Sequence, residues 1–329
     1  MRDVWLSAYL GFADSSAGIY GTVCDRLLLE VVEPRLARWQ SGDGGGLVDA
    51  SFFVRYESAE HGHHLRLRLR PTSDEAAQTL RAELSTLADE DAVDALAWVP
   101  FEPELERYGG ATGARLAEDV FDASSRSALS LLHKIAPDDR AARLGKALLA
   151  QLVFLHVFDP HRERAAALAL RCAEASTRRR AGDAERVARW TDEHRAGFDR
   201  QSNQLVPYVE AAWSALEAGA PTTAELDSLR ARLVVARDAL RQASDRGDLD
   251  GLETWPVAVR ALLPSYLHMM NNRLGVDLRE ECYLAVVVAS TLSEIPELAG
   301  SAGAADRTRA PTQHRAARSR TAPSDRRTP

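Results

Sequence analysis

The chain has 329 residues and a mass of 36.0 kDa, 45% of them hydrophobic and 27% charged. This is the balance of a soluble globular protein with ample length for a buried core, and it excludes a disordered chain, a collagen-like fibre and a small disulfide scaffold. The net charge of −7 hides an asymmetry: residues 300–329 hold seven Arg against Asp306 and Asp325, so that segment carries +5 and the body is near −12. An acidic body argues against nucleic-acid binding by the folded part.

No stretch reads as a membrane helix, and the start, MRDVWLSAYLGF, lacks the apolar core of a signal peptide. Cys24, Cys172 and Cys282 are far apart with no CxxC spacing, which reads as core thiols in a reducing, cytoplasmic compartment. Lys134 and Lys146 are the only lysines among 41 cationic residues, so arginine content alone says little about function.

In chain order, residues 5–12 read as a strand, and 24–40 as a helix with Leu27, Leu28, Val31, Val32 and Leu36 at helical spacing and a kink at Pro34. A glycine-rich loop, 41–46, follows. Residues 50–56 are rich in β-formers and 64–70, HLRLRLR, alternate strictly, so they form a hairpin around the turn ESAEHGH. Residues 74–89 are an amphipathic helix and 93–101 a further strand. Helical periodicity then dominates over 115–133, 138–158, 162–180, 184–217, 223–245, 256–274 and 278–293, with Asp277 and Glu280 placed as a capping box. The Ala/Arg/Glu-rich stretch 160–200 reads as a surface. The expected fold is α+β: an antiparallel sheet from the N-terminal third packed against a mostly helical remainder, one domain over 1–299 with a disordered basic tail over 300–329.

Three segments carry chemistry. Arg66, Arg68 and Arg70 alternate with leucines, so a strand places all three guanidiniums on one face. That face is either a solvated surface or an anion site, since guanidinium forks match carboxylates. The segment WVPFEPELERYGG, 98–110, crowds aromatics, prolines and charges at a strand end, with Glu104, Arg107 and Tyr108 as its polar groups. In SYLHMMNNR, 265–273, Ser265, His268 and Asn272 fall within about 60° on one helix face. A polar stripe on an apolar helix must be hydrogen-bonded or face a wet cavity. His268 is a structural core histidine or an acid/base. His61, His63 and His64 read as turn residues. No metal-ligand spacing, phosphate loop, dinucleotide fingerprint or nucleophile elbow occurs, so no cofactor and no metal are expected.

Taken together and in this order, WLSAYLGF, FFVRYES with HHLRLRLR, WVPFEPELERYGG, AEDVFDASS and SYLHMMNNRL resemble the C-terminal domain of lantibiotic dehydratases, also found as a free-standing thiopeptide-type bacteriocin biosynthesis protein. The resemblance covers roughly 1–135 and 255–295. It implies that a separate tRNA-dependent partner places a glutamyl group on Ser or Thr of a ribosomally made precursor peptide. This domain then eliminates glutamate to leave dehydroalanine or dehydrobutyrine. By motif match it implies catalytic roles for Arg66, Arg68, Arg107 and His268; Arg70, Glu104, Tyr108, Ser265 and Asn272 of the same segments are expected to bind substrate. The expected partners are the precursor peptide and the glutamylating subunit, without nucleic acid or membrane and with a homodimer allowed. Relatives on the same scaffold catalyse a 4+2 aza-cycloaddition that forms a pyridine, and a non-catalytic peptide-binding partner is a third alternative. The eliminase reading expects Arg66 and Arg68 to share a cavity with Arg107.

Overall fold

The structure is a computed structural model that describes residues 5–12, 18–42, 46–90, 92–181 and 184–293. The tail expected over 300–329 lies outside the described residues. Four strands, β1 (Leu6–Gly11), β2 (Val48–Ser58), β3 (Gly62–Pro71) and β4 (Ala95–Trp98), form one sheet in the order β2-β3-β1-β4 with every neighbouring pair antiparallel. Helices separate β1 from β2 and β3 from β4. The result is two interleaved split βαβ units, the ferredoxin-like arrangement.

The strict alternation of β3 sets the two faces. Leu65, Leu67 and Leu69 are at most 1% exposed and share their side with Phe53 of β2 and with Leu6, Ala8 and Leu10 of β1, their ladder neighbours. Burying each such leucine stabilises the fold by about 1.5–3 kcal/mol. Helices cover this face. The first begins as α1 (Thr22–Arg26), widens into a π-helical stretch (Leu27–Val32) and returns as α2 (Glu33–Gln40). Pro34 explains the widening: it lacks the N–H that would continue the α ladder, and the wider turn makes room for its ring. The second, α3 (Asp74–Asp89), starts where Ser73 accepts the Ala76 N–H and buries Leu80, Leu84 and Leu87. Trp39 Nε1 donates to Glu83 at 2.6 Å and ties α2 to α3.

Three expectations for this third of the chain change. The hairpin is tighter than expected, with strands running to Ser58 and Gly62, so His63 and His64 are strand residues and only His61 stays in the turn. Gly62 carries the turn at φ 57°. The strand expected over 93–101 is confined to Ala95–Trp98. Pro100 has no N–H to give a ladder.

The remainder is helical: α4 (Leu105–Tyr108), α5 (Gly110–Leu132), α6 (Arg140–Phe158), α7 (Arg162–Ala181), α8 (Ala184–Glu217), α9 (Ala224–Asp245), α10 (Trp255–Arg273) and α11 (Leu278–Leu292). The Asp277–Glu280 capping box forms as the sequence implies. The stretch 160–200 is not simply a surface. Ala165, Ala166, Leu168, Ala169 and Cys172 are buried, because their small side chains let α7 lie close against α11. By length and composition α6 is apolar enough to cross a membrane, contrary to the sequence expectation, but most of it is buried in this domain. All three cysteines are buried.

The sheet joins the helices along its β2 edge. The outward N–H groups of Ser51, Phe53 and Arg55 donate to Asp122 (2.9 Å), Ser125 (3.3 Å) and Asn272 (2.9 Å), and Asn272 Nδ2 donates back to the Arg55 carbonyl at 3.0 Å. Side chains of α5 and α10 thus replace a fifth strand and satisfy an edge that would otherwise be open. The Arg55 side chain strengthens the joint. It is 1% exposed, donates to Asp25 at 2.6 Å and to the Arg273 carbonyl at 3.0 Å, and shares Asp25 with buried Arg143.

Candidate active site

The arginines of β3 lie on the sheet face away from α2 and α3, yet their surroundings differ. Arg70 is neutralised by Asp49 at 2.9 Å and lies 3.8 Å from Glu118. The half-buried Arg66 guanidinium sits 3.3 Å from the centre of the Tyr56 ring and 4.8 Å from that of Tyr9. Its Nε donates to His64 Nε2 at 3.3 Å. Arg68 is 7% exposed, with its guanidinium 5.5 Å from Tyr9 and 5.4 Å from Phe101. Its Nε and Nη1 have no hydrogen-bond partner among the described residues. Burial, with the charge of Arg66 adding to it and Tyr9 opposing it, pushes the Arg68 pKa down to about 10. Among the described residues no carboxylate pairs with Arg66 or Arg68. The solvated-face reading therefore fails for Arg68, which is a buried cation without a counter-ion.

The turn reading of the histidine cluster fails for His64. The period of two puts it on the arginine face, fully buried and stacked 4.7 Å from Tyr9. Its Nδ1 contacts the Gly62 carbonyl at 2.9 Å, so the proton belongs on Nδ1 and Nε2 accepts from Arg66. Burial lowers its pKa, and the charge of Arg66 lowers it further.

The segment between β4 and α5 closes over one end of this face. Phe101 meets Phe52 at 5.9 Å, Phe52 meets Phe121 at 5.3 Å, and Phe121 meets Tyr108 at 5.5 Å. This chain of rings leads from Arg68 to the ERYGG segment. Tyr108 is buried, its hydroxyl 2.7 Å from Ser265 Oγ and its ring stacked on Tyr266. Burial raises its pKa. Arg107 is half-buried and donates to exposed Glu104 at 2.8 Å. Arg107 thus connects to Arg68 through Tyr108 and the rings rather than directly. Gly109 and Gly110 have φ of 77° and 85°, and a Cβ on Gly109 would stand 2.8 Å from Leu252 while one on Gly110 would collide with Asp250. Only glycine fits a backbone that turns here from α4 into α5 against the loop before α10.

On α10 the expected polar stripe divides. Ser265 holds Tyr108 and Asn272 holds the β2 edge, so both position the fold. His268 turns instead toward α11, where its Nδ1 lies 2.9 Å from Oε1 of buried Glu281. Its pocket is lined by Gln151, Cys172, Asn271 and Glu281 and includes none of the arginines.

Arg273, overlooked in the sequence, is fully buried. Its Nε donates to Ser125 at 2.8 Å, its guanidinium lies 5.3 Å from the Phe121 ring, and Nη1 and Nη2 have no partner among the described residues. Burial pushes its pKa down to about 9. The signal was an arginine one helical heptad after Tyr266 and so on the same buried side. Tyr9 and His64 follow from extending the β3 period and its register, whereas Glu281 comes from a separate helix that no local pattern connects to His268. No cluster of metal-ligating side chains occurs among the described residues. Burial pushes the Cys24 and Cys172 thiols up to about 11 and about 12, which keeps them protonated and inert.

The profile of the family described as lantibiotic biosynthesis dehydratase C-term matches residues 16–292, and the chain belongs to that family. Its structure is similar to that of the tRNA dependent lantibiotic dehydratase MibB from Microbispora sp. 107891, with TM-score 0.56 and 21% identity over 87% of this chain and 28% of MibB. It is similar to TsrL, with TM-score 0.63 and 18% identity over 87% of this chain and 93% of that one. It is also similar to the pyridine synthase TbtD from thiomuracin biosynthesis, with TM-score 0.61 and 17% identity over 87% of this chain and 98% of that one. The matched region thus spans little more than a quarter of MibB but nearly all of TsrL and TbtD. These identities establish the shared fold. A comparison with curated protein sequences finds no match.

Proposed function

Starting from membership of the lantibiotic dehydratase C-terminal family, we propose that this chain is a modifying enzyme of ribosomally made peptides that eliminates glutamate from glutamylated Ser or Thr. The observation that carries the reading is Arg68: a buried guanidinium that pairs with no carboxylate among the described residues, on a face shared with Arg66. Such a site favours a ligand that arrives with negative charge or develops it.

Elimination does both. A base removes the Cα proton of the acylated residue, its electron pair forms the Cα–Cβ double bond, and the Cβ–O bond breaks to release glutamate as a carboxylate. Arg68 and Arg66 stabilise the enolate-like charge and the departing carboxylate. Arg107 joins them by exchanging Glu104 for the substrate. His268, held through Nδ1 by Glu281, presents Nε2 for proton transfer; this role rests on the family match alone, because its pocket is separate from the arginine face. Glutamylation is left to a separate tRNA-dependent partner.

Pyridine formation by 4+2 aza-cycloaddition is the second reading, favoured by the near-complete overlap with the pyridine synthase TbtD. Its leaving groups are water and leader peptide, and neither brings a carboxylate to Arg68. The deciding experiment offers purified protein two peptides, one glutamylated on Ser and one already carrying two dehydroalanines, and weighs the products by mass spectrometry. Conversion of the first to the dehydrated peptide with free glutamate is expected, with Arg68→Lys impaired because Lys lacks the planar fork and His268→Ala accumulating the glutamylated peptide. Ring closure on the second peptide with the first untouched overturns the eliminase reading.

A further inference from the structure

The arginine face carries unpaired donors beyond its arginines. Ser7 stands directly across from Arg68 in the β1–β3 ladder, so both side chains leave the sheet on one side. Trp5 lies two residues earlier and reaches that side too. Its ring meets Phe52 edge-on at 4.9 Å and Phe101 at 6.0 Å. Phe52 is the ladder neighbour of Arg68 on β2, and Phe101 is the ring beside the Arg68 guanidinium. Trp5 and Ser7 are as buried as Arg68. Trp5 Nε1, Ser7 Oγ, and Arg68 Nε and Nη1 all lack a hydrogen-bond partner among the described residues. Asp49, the carboxylate closest to Arg70, is engaged by it, and among the described residues no acceptor answers these donors.

We propose that Trp5 and Ser7 complete, with Arg68, a subsite for a single carboxylate. A carboxylate offers about four lone-pair positions. The guanidinium fills at least one of them, and a hydroxyl and an indole N–H, both able to donate, suit others. The rings of Phe52 and Phe101 keep the patch dry and strengthen each contact. A primary amide in the same place would turn its own N–H groups toward donors, so the subsite selects an acid over its amide. On the eliminase reading its ligand is the carboxylate that esterification leaves free on the glutamyl group. Trp5 and Ser7 then make the enzyme prefer glutamyl over glutaminyl esters. The carboxylate specificity itself does not depend on that reading.

Glutarate and glutaramide are titrated calorimetrically into the full chain and into Trp5→Phe, which keeps an aromatic ring, and Ser7→Ala, which nearly keeps the volume. Their fold is checked by circular dichroism. Glutarate should bind the wild type, glutaramide should not, and each variant should weaken glutarate by about tenfold or more, as expected for a hydrogen bond to a charged group. Turnover of glutamylated and glutaminylated peptides is measured separately, and each variant should narrow the preference for the glutamyl ester by a similar factor. Equal binding of glutarate and glutaramide, no glutarate binding, or glutarate binding unchanged in both variants overturns the subsite. Selective glutarate binding lost in the variants, but with no elimination from either peptide, upholds the subsite and removes the eliminase reading instead.

Discussion

Replacing Arg68 by Met separates stability from function. Burial pushes its pKa down to about 10, so the charged form is disfavoured in the folded chain by about 3 kcal/mol, at 1.36 kcal/mol per unit. The sign follows from linkage. A cation with a depressed pKa carries its full cost below the folded value, and the cost is relieved only as pH rises above about 10. All of it is therefore present at pH 7–8. Met removes the charge while keeping a stem that packs against Phe101 and Tyr9, and exchanging buried charge for apolar bulk often stabilises by about 1–4 kcal/mol. The variant should thus be more stable than wild type by about 1–3 kcal/mol. Urea denaturation should show this as a higher midpoint at unchanged slope. Elimination should fall by about 10²-fold or more, as for removal of a preorganised charge-stabilising donor. A variant less stable than wild type by about 1 kcal/mol, or one with undiminished turnover, refutes the claim that Arg68 is a buried cation kept for an anionic ligand.

Asp25→Asn leaves Arg55 and Arg143 buried without their shared carboxylate and should cost about 3–5 kcal/mol; calorimetry should show Tm lower by about 6–20 °C, and a loss under about 1 kcal/mol would show that the other bonds of the joint suffice. Gly110→Ala forces a side chain onto Asp250 at positive φ and should destabilise by more than about 1 kcal/mol, with catalysis falling further than stability because Arg107 and Tyr108 shift with the turn; a fully active, stable variant removes the geometric reason given for the glycine pair. His64, His156 and His194 all have pKa values lowered mainly by burial, so the unfolded chain takes up protons first and stability should decline as pH falls below about 6.5. Thermal melts between pH 5 and 8 should show that decline, with a shallower slope in His64→Gln; a flat profile contradicts the neutral, buried assignment.

The sequence by itself determined the elements and their faces. Strict alternation in HLRLRLR is a backbone geometry, so leucines and arginines had to part to opposite sides of β3, and the periodicity of 74–89 had to bury Leu80, Leu84 and Leu87. Five short motifs in order were enough to point to the family. Only the tertiary structure decided what each polar group meets. Three arginines identical in pattern became three different groups, because Asp49 lies beside Arg70, Tyr56 beside Arg66, and Phe101 beside Arg68. Ser265, His268 and Asn272 share a helix face, yet Tyr108, Glu281 and the Arg55 backbone draw them to three separate tasks. A helix or strand period fixes direction about one element's own axis. Partners that arrive from 13 to more than 200 residues away fix the charge balance, the hydrogen bonds and the pKa of each group. Those long-range pairings lie beyond any local pattern.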